Sequence, residues 1–329
     1  MDSPPRDRLD ELATAYQTSQ ILMAANRLGL FTALGTEVRQ TQELATALEA
    51  SPRGIRILCD ALVSLGLLQA SESGYRNHEL ALRHLLPNSP EPRSDLLRHG
   101  AKLYERWGHL YDAVKTGAPV PDEQLDPRLV DGERAFARAM ADVGRRSATA
   151  TWRELSLTGV KTLLDVGGGP GIYAIGFAQQ SPDLEVTILD TEESLAVAQQ
   201  NIDAAGLSDR IHLRPGDAFI DDLGGPYDLV FVSNVIHIYS SAENHQLVKR
   251  CAESLTPSGR LVLKDFFLDD DRQTPPGGVL FAVNMLVSTE GGDCYTVTEA
   301  TSWLESAGLE LVDIRDIATK SRLLIAQRA

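Results

Sequence analysis

Glycines are concentrated in residues 163–171, which read LLDVGGGPG and follow an apolar run. Glycine has no Cβ, so such a turn lets the backbone approach a ligand closely and adopt positive φ angles. A dinucleotide fingerprint would need a small residue at Ile172, and a P-loop would need lysine before serine or threonine, so neither motif fits. We therefore predict that Gly167, Gly169 and Gly171 bind some other ligand.

Three carboxylates lie at the ends of predicted strands around this turn: Asp165, Asp190 and Asp217. Asp165 would repel a phosphate and suits a cationic or zwitterionic ligand. Asp190 ends the run VTILD, where an acid accepts hydrogen bonds from ribose hydroxyls. Asp217 is placed to accept a hydrogen bond from the exocyclic amine of adenine. A phosphate-free zwitterionic adenosine fits this set, and S-adenosylmethionine meets the description. No metal site is indicated.

One histidine and one aspartate offer acid–base chemistry. His237 lies just beyond the predicted fourth strand, in SNVIHIY, and Asp265 ends the fifth, in LVLKDF. Free histidine titrates near neutrality, with a pKa of ~6.5. Methyl transfer is an in-line displacement from a sulfonium, and it requires an aligned nucleophile that has lost its proton. We interpret His237 as the general base and Asp265 as the acid that holds its imidazole, with a loop histidine and a structural aspartate as the alternatives.

From residue 161 onward the sequence alternates apolar strands with helices. Near-continuous apolar strands of this kind are typical of a parallel sheet covered on both faces, in which ligands bind at the carboxyl ends of the strands. A short connection before the final run RLLIAQR predicts an antiparallel last strand. We therefore predict an α/β fold, a Rossmann-like doubly wound sheet over residues 159–329.

The first 100 residues are mainly helical. A helix stops at Gly29, a second begins with Ser51 as N-cap and Pro52 as its first residue, and two short strands flank Ser73-Gly74. This order is the outline of a winged helix. Residues 101–158 are predicted to be a helical linker that contributes to a substrate pocket. Candidate pocket walls are Tyr104, Trp107, Phe136, Met140, Asn284 and Met285, each of which could equally be plain core.

Composition excludes several classes of protein. The net charge of −15 and the pI near 4.9 oppose a nucleic-acid partner. No apolar stretch approaches the ~20 residues of a membrane helix, and the N-terminus lacks a signal pattern. Three widely spaced cysteines argue against disulfides and zinc and favour a reducing cytoplasm.

Residues 161–329 resemble class I S-adenosylmethionine-dependent methyltransferases. The winged-helix outline, GDAF, SNVIHIY and VLFAVNMLV make the whole chain similar to the small-molecule O-methyltransferases of plant and bacterial natural-product pathways. The resemblance implies a homodimer formed through an N-terminal dimerisation domain.

The same resemblance implies roles for individual residues. Gly167, Asp190, Asp217, Ala218 and Phe219 match cofactor positions, and Ser233 and Asn234 are assigned to the same site, with Ser233 where plant members usually carry a lysine. His237 matches the catalytic histidine, and Phe136 and Met140 match substrate-contacting residues. Asp265 stands where glutamate is usual, and Cys294 where the family has a second acid that the neighbouring Asp293 would have to replace.

Three other functions stay open at this point. The missing second acid leaves room for S-methylation of a thiol or thioether acid, and similar scaffolds also catalyse reactions without methyl transfer. A winged-helix regulator that binds DNA is the third, supported only by Arg53, Arg56, Arg76 and Arg83. A hydroxyl oxygen is the favoured acceptor, and its identity is not encoded in any motif.

Overall fold

The structure is a computed structural model that describes residues 6–89, 91–126, 133–317 and 321–328. The chain divides into two compact units, Met1–Lys102 and Leu103–Ala329. The finer division at residues 100 and 158 stays a prediction.

The first unit consists of short helices and one hairpin. Its elements are α1 (Arg6–Leu28), α2 (Leu30–Leu34), α3 (Thr41–Ala47), α4 (Pro52–Ser64), β1 (Leu68–Ser71), β2 (Gly74–Asn77) and α5 (Glu79–His84). Gly29 has φ 78° and separates α1 from α2, and Ser51 caps α4 by accepting a hydrogen bond from the backbone N of Gly54. Since the two helices precede an antiparallel hairpin, the predicted order of elements is confirmed.

The apolar face of α4 contributes to the core of this unit. Ile55, Cys59 and Leu62 recur at helical spacing and are buried. They pack in one cluster with Phe31 and Tyr75, so both the helices and the hairpin contribute to the core.

Helices and strands alternate along the second unit after a helical beginning. Helix α6 (Ser94–Gly108) contains the boundary between the units. The elements that follow are α7 (Leu110–Thr116), α8 (Glu133–Glu154), β3 (Thr162–Val166), α9 (Ile172–Gln180), β4 (Glu185–Asp190), α10 (Glu192–Ala205), β5 (Ile211–Pro215), β6 (Tyr227–Ser233), α11 (Ser241–Glu253), β7 (Leu255–Asp265), α12 (Pro276–Ser288), α13 (Val297–Ser306), β8 (Leu309–Ile317) and β9 (Ser321–Arg328).

In the described part of the chain these strands form a seven-stranded sheet in the order β5-β4-β3-β6-β7-β9-β8. The strands from β3 to β7 pair in parallel, whereas β9 pairs antiparallel with β7 and β8. The predicted doubly wound sheet with an antiparallel last strand is therefore confirmed. Strand order reverses between β3 and β6, which is the switch point where such sheets bind ligands.

Apolar side chains cover both faces of the sheet. One cluster includes Leu163 and Phe231 and packs against Phe177 of α9, and the other includes Leu164 and Val230 and packs against Leu247 of α11. Both faces of β3 and β6 are thus buried, and their carboxyl ends are left to form a site.

None of the helices within the described ranges is both long enough and apolar enough to span a membrane.

Candidate active site

The glycine turn between β3 and α9 has the backbone that its sequence predicts. Gly167, Gly169 and Gly171 have φ angles of 65°, 53° and 75°, in the region that favours glycine. A Cβ atom at Gly167 would lie 2.6 Å from Cγ2 of Val235. The backbone N of Gly169 donates a 2.7 Å hydrogen bond to Oδ2 of Asp190. The turn is therefore packed against one neighbouring segment and bonded to another.

Asp165 lies directly beneath this turn. A Cβ atom at Gly168 would come within 2.7 Å of its Cγ, and the residue is fully buried. Among the described residues, neither carboxylate oxygen has a hydrogen-bond partner. Burial, followed by the charge of Asp190, raises the pKa of Asp165 to about 8. An unpartnered buried carboxylate is costly, so a cationic ligand near the turn would stabilise this site.

Asp190 is the last residue of β4 and Asp217 follows β5, so both lie at the same edge of the sheet. Oδ1 of Asp190 accepts a 2.7 Å hydrogen bond from the backbone N of Thr191, and Oδ1 of Asp217 accepts one of 2.8 Å from Phe219. The carbonyl of Ala218 accepts a 2.7 Å hydrogen bond from Nε of Arg250. These bonds order the two loops, and each carboxylate oxygen keeps a second lone pair for a ligand.

A buried lysine, Lys264 of β7, lies beside the end of β6. It is not among the residues that the sequence suggests for the site. Asn234 has φ 57°, and its Oδ1 accepts a 3.3 Å hydrogen bond from Nζ of Lys264. Its Nδ2 donates to Oγ of Ser233 at 3.3 Å. The signal in the sequence was a charged residue inside the apolar run LVLKDF.

His237 and Asp265 are brought together by neighbouring strands. His237 lies in a short 3₁₀ turn after β6, Ile236–Ile238, and Asp265 is the last residue of β7. The His237 Nδ1 and Asp265 Oδ1 atoms are 2.7 Å apart, and the backbone N of His237 donates to Oδ2 at 3.4 Å. Both side chains are buried. The aspartate, although one methylene shorter than glutamate, thus reaches the ring and fixes its orientation.

Two phenylalanines that the sequence analysis missed surround the imidazole. The ring of Phe281, on α12, lies 4.9 Å from that of His237 in an edge-to-face arrangement. Phe266, immediately after Asp265, lies 4.5 Å from Phe281. The sequence of α12 is apolar throughout most of its length, so an aromatic residue in it does not by itself indicate a site. Phe281 could therefore not be assigned before the position of the helix was known.

The predicted pocket walls are placed unequally. Nε1 of Trp107 donates a 3.0 Å hydrogen bond to Oδ1 of Asn284, which lies one turn beyond Phe281 on α12. Met285 is buried. Tyr104 and Phe136 are exposed. Met140, on α8 with Phe136, is half-buried. A role in a pocket stays a prediction for all six residues.

In the described part of the chain, the side chains of Cys294 and Asp293 make no hydrogen bond to His237, whose partner is Asp265. Cys294 is buried beside Asp265, and burial, with the charges of Asp265 and Asp293, raises the pKa of its thiol to about 12. The thiol is therefore neutral at physiological pH. Oδ2 of Asp293 pairs with Nη2 of Arg272 at 2.6 Å. Asp293 also lines the same pocket as His237, and its role as the second acid stays a prediction.

Comparison with known proteins matches this arrangement to one family. A family model described as an O-methyltransferase domain matches residues 124–310, and another, described as an O-methyltransferase dimerisation domain, matches residues 10–86. The chain belongs to the O-methyltransferase family.

Curated relatives extend over most of the chain. A 3-hydroxy-5-methyl-1-naphthoate 3-O-methyltransferase from Streptomyces sahachiroi is 32% identical over 91% of this chain and 88% of its own length. An acetylserotonin O-methyltransferase from Macaca mulatta is 33% identical over 91% of both chains. The crystal structure of human N-acetylserotonin methyltransferase in complex with S-adenosylmethionine superposes with a TM-score of 0.86. It is 28% identical and covers 100% of this chain and 99% of that chain.

This O-methyltransferase uses S-adenosylmethionine as its cofactor and transfers the methyl group to oxygen. The residues at the glycine turn fit that cofactor because they provide a buried, unpartnered carboxylate for a positive charge. They also provide a backbone cradle in which a Cβ atom at Gly167 or Gly168 would collide with its neighbours. S-methylation, catalysis without methyl transfer and DNA regulation receive no support from the comparisons.

Proposed function

We propose that His237 is the general base of this O-methyltransferase and that it takes the proton from a hydroxyl of a small aromatic acceptor. The 2.7 Å hydrogen bond between Nδ1 of His237 and Asp265 carries this proposal. A neutral imidazole whose Nδ1–H donates to a carboxylate has its lone pair on Nε2. Within the described ranges, no protein group bonds to that Nε2, so it is available to the acceptor.

Asp265 is proposed to hold the ring and to stabilise the imidazolium that forms when the proton arrives. Its Oδ1 also accepts a 2.8 Å hydrogen bond from the backbone N of Phe266, so the carboxylate cannot follow the imidazole if the ring turns. A base fixed in this way contributes typically ~10²–10⁴-fold to a rate.

The cofactor is proposed to lie along the carboxyl edge of β3, β4 and β5. When bound, S-adenosylmethionine supplies a methyl group on a positively charged sulfur. Asp165 compensates positive charge from beneath the turn, Asp190 accepts from the ribose hydroxyls, and Asp217 accepts from the adenine amine. The turn and its neighbours complete the proposed site: Gly167, Gly169, Gly171, Ala218, Phe219, Ser233 and Asn234.

An aromatic acceptor is supported by the rings around His237. Phe281 and Phe266 present aromatic surface beside the imidazole, and aromatic pairs gain ~0.5–1.5 kcal/mol beyond simple burial. The relatives' names describe a hydroxynaphthoate and an acetylserotonin as the molecules they methylate. Side chains proposed to complete the acceptor pocket are Tyr104, Trp107, Phe136, Met140, Asn284 and Met285.

We also propose that the protein is a homodimer through its N-terminal unit, acts on small molecules rather than nucleic acid, and works in the cytoplasm. The match to a dimerisation domain supports the homodimer. The net charge of −15 opposes a nucleic-acid partner, and the small number of cysteines supports the cytoplasm.

A panel of small phenols with methyl-labelled cofactor tests the acceptor and the base together. We expect labelled methyl ether with the wild type, a loss of ~10²-fold or more in His237→Asn, and unchanged calorimetric affinity for S-adenosylhomocysteine. His245→Asn is the matched control, since His245 is an exposed histidine on α11. Full turnover by His237→Asn, or label on an atom other than oxygen, would contradict the proposal.

A further inference from the structure

Lys264 is a buried cation that the proposed mechanism does not use. Its side chain is 1% exposed, and no carboxylate among the described residues lies within ion-pair distance of it. Its Nζ has one hydrogen bond, to the neutral Oδ1 of Asn234, and lies 5.3 Å from the ring centre of Tyr173. Lysine is almost never fully buried unless it is paired, so this environment favours an anion beside Nζ.

The position of Nζ identifies where such an anion would lie. Asn234 directly follows β6, and Tyr173 is in the first turn of α9, which begins where the glycine turn ends. Nζ therefore lies at the switch point between β3 and β6, where this fold binds its ligand.

The Lys264 ammonium and the Asp165 carboxyl group lie on one face of the sheet. Asp165 pairs with Phe231, which pairs with Val262, and Lys264 follows Val262 by two residues, so all four side chains point to the same face. Lys264 and Asp165 do not pair with each other. The hydroxyl of Tyr173 is also buried without a partner among the described residues. An unpaired ammonium and a separate carboxyl group, which a nearby positive charge would ionise, complement a ligand that carries both signs.

We propose that Lys264 binds the α-carboxylate of the methionine part of S-adenosylmethionine. Nζ donates to a carboxylate oxygen while the ring of Tyr173 supports the ammonium from one side. Ser233 is the residue directly opposite Lys264 in the ladder between β6 and β7. Ser233 carries no charge, so the cation at this position of the sheet comes from Lys264 on the neighbouring strand, β7. The inference rests on the proposed placement of the cofactor at the glycine turn.

Calorimetry with two ligands tests this assignment without turnover. S-adenosylhomocysteine carries the carboxylate, and its decarboxylated analogue lacks only that group. We expect Lys264→Met to weaken binding of S-adenosylhomocysteine by about 10- to 100-fold, the range for a hydrogen bond to a charged group. Affinity for the decarboxylated analogue should change little. Lys249→Met, which removes an exposed lysine of α11, is the matched control and should change neither affinity.

Equal weakening of both ligands by Lys264→Met would assign the lysine a structural role through Asn234, and unchanged binding of both would also overturn the proposal. If that variant does not fold, the wild type still decides, because equal affinity for the two ligands would contradict recognition of the carboxylate. Asp190→Ala separates this inference from the placement of the cofactor. That variant should weaken the binding of both ligands to the same extent. Unchanged affinity for both would mean that the cofactor does not bind at the glycine turn.

Discussion

At the scale of residues, the site depends on how a short carboxylate holds an imidazole. Asp265 has one methylene fewer than the glutamate usual in similar enzymes, yet Oδ1 approaches Nδ1 of His237 to 2.7 Å. The backbone makes this possible, because the N–H of His237 also points at the same carboxylate. Both residues could be chosen from the sequence as strand-end groups. The contact between them depends on a 3₁₀ turn that has no sequence signature.

Asp265→Asn should lower kcat by about 10²–10⁴-fold, as expected when a positioned base fails. The amide can present either its NH₂ or its oxygen to Nδ1, so the tautomer with the lone pair on Nε2 is no longer enforced. Steady-state transfer of labelled methyl to an accepted phenol measures the effect, and S-adenosylhomocysteine affinity by calorimetry should stay near wild type. A variant with normal kcat would show that Asp265 only packs against the ring.

At the scale of elements, the predictable parts are those with strong periodicity. Strands such as β3 and β6 are largely apolar and are buried on both faces, which determined the sheet and the edge where the acids lie. Helix α12, by contrast, has an apolar sequence that gives no preferred face. The position of Phe281 beside His237 was therefore visible only once the helix was packed, although the sequence already suggests Asn284 as a pocket wall. Lys264 was missed because the apolar pattern of a strand does not show what surrounds a single charged residue within it.

Gly167→Ala tests the packing of the glycine turn. Gly167 has φ 65°, and its Cβ would lie 2.6 Å from Val235, whereas Gly206 at the end of α10 has φ 67° and open space around it. Both Ala variants should lose ~1–2 kcal/mol of stability from left-handed strain. Only Gly167→Ala should also weaken S-adenosylhomocysteine binding, measured by calorimetry, because Val235 must move. Equal, unchanged ligand affinity in the two variants would mean that the turn tolerates a side chain.

At the scale of the whole molecule, two properties can be predicted. Exposed apolar residues bear on dimer formation, and the buried Asp165 bears on how stability changes with pH. The chain carries a net charge of −15, and its N-terminal unit matches a dimerisation domain. Helix α1 exposes large apolar residues at Leu9, Leu12 and Tyr16. These lie at helical spacing along one face, which favours a partner surface.

Leu12→Glu combined with Tyr16→Glu should shift the protein from dimer toward monomer, since each charge would be buried at the proposed interface. Sedimentation equilibrium measures the mass. Val312→Glu, which alters an exposed apolar residue on β8, should leave the mass at that of the dimer. A double variant that stays dimeric would place the interface elsewhere.

Asp165 should make the ligand-free protein less stable as pH rises. Its pKa is raised to about 8 from an ordinary value near 3.8, so the folded state holds a proton that the unfolded state has released between those values. The stabilisation is complete below pH ~4 and is lost as pH rises through about 8, at most ~1.4 kcal/mol per pH unit. Urea unfolding of the wild type and Asp165→Asn across this range should show a difference that falls with pH. A constant difference would mean that Asp165 is ionised throughout.

The proposed role of His237, removal of the acceptor's proton, can be measured with acceptors of graded acidity. For a series of phenols, the ratio of kcat/KM between the wild type and His237→Asn should be largest for weakly acidic hydroxyls. It should approach one for phenols already ionised at the assay pH, because those need no base. A ratio that stays the same across the series would contradict this role and would leave His237 as a residue that only shapes the pocket.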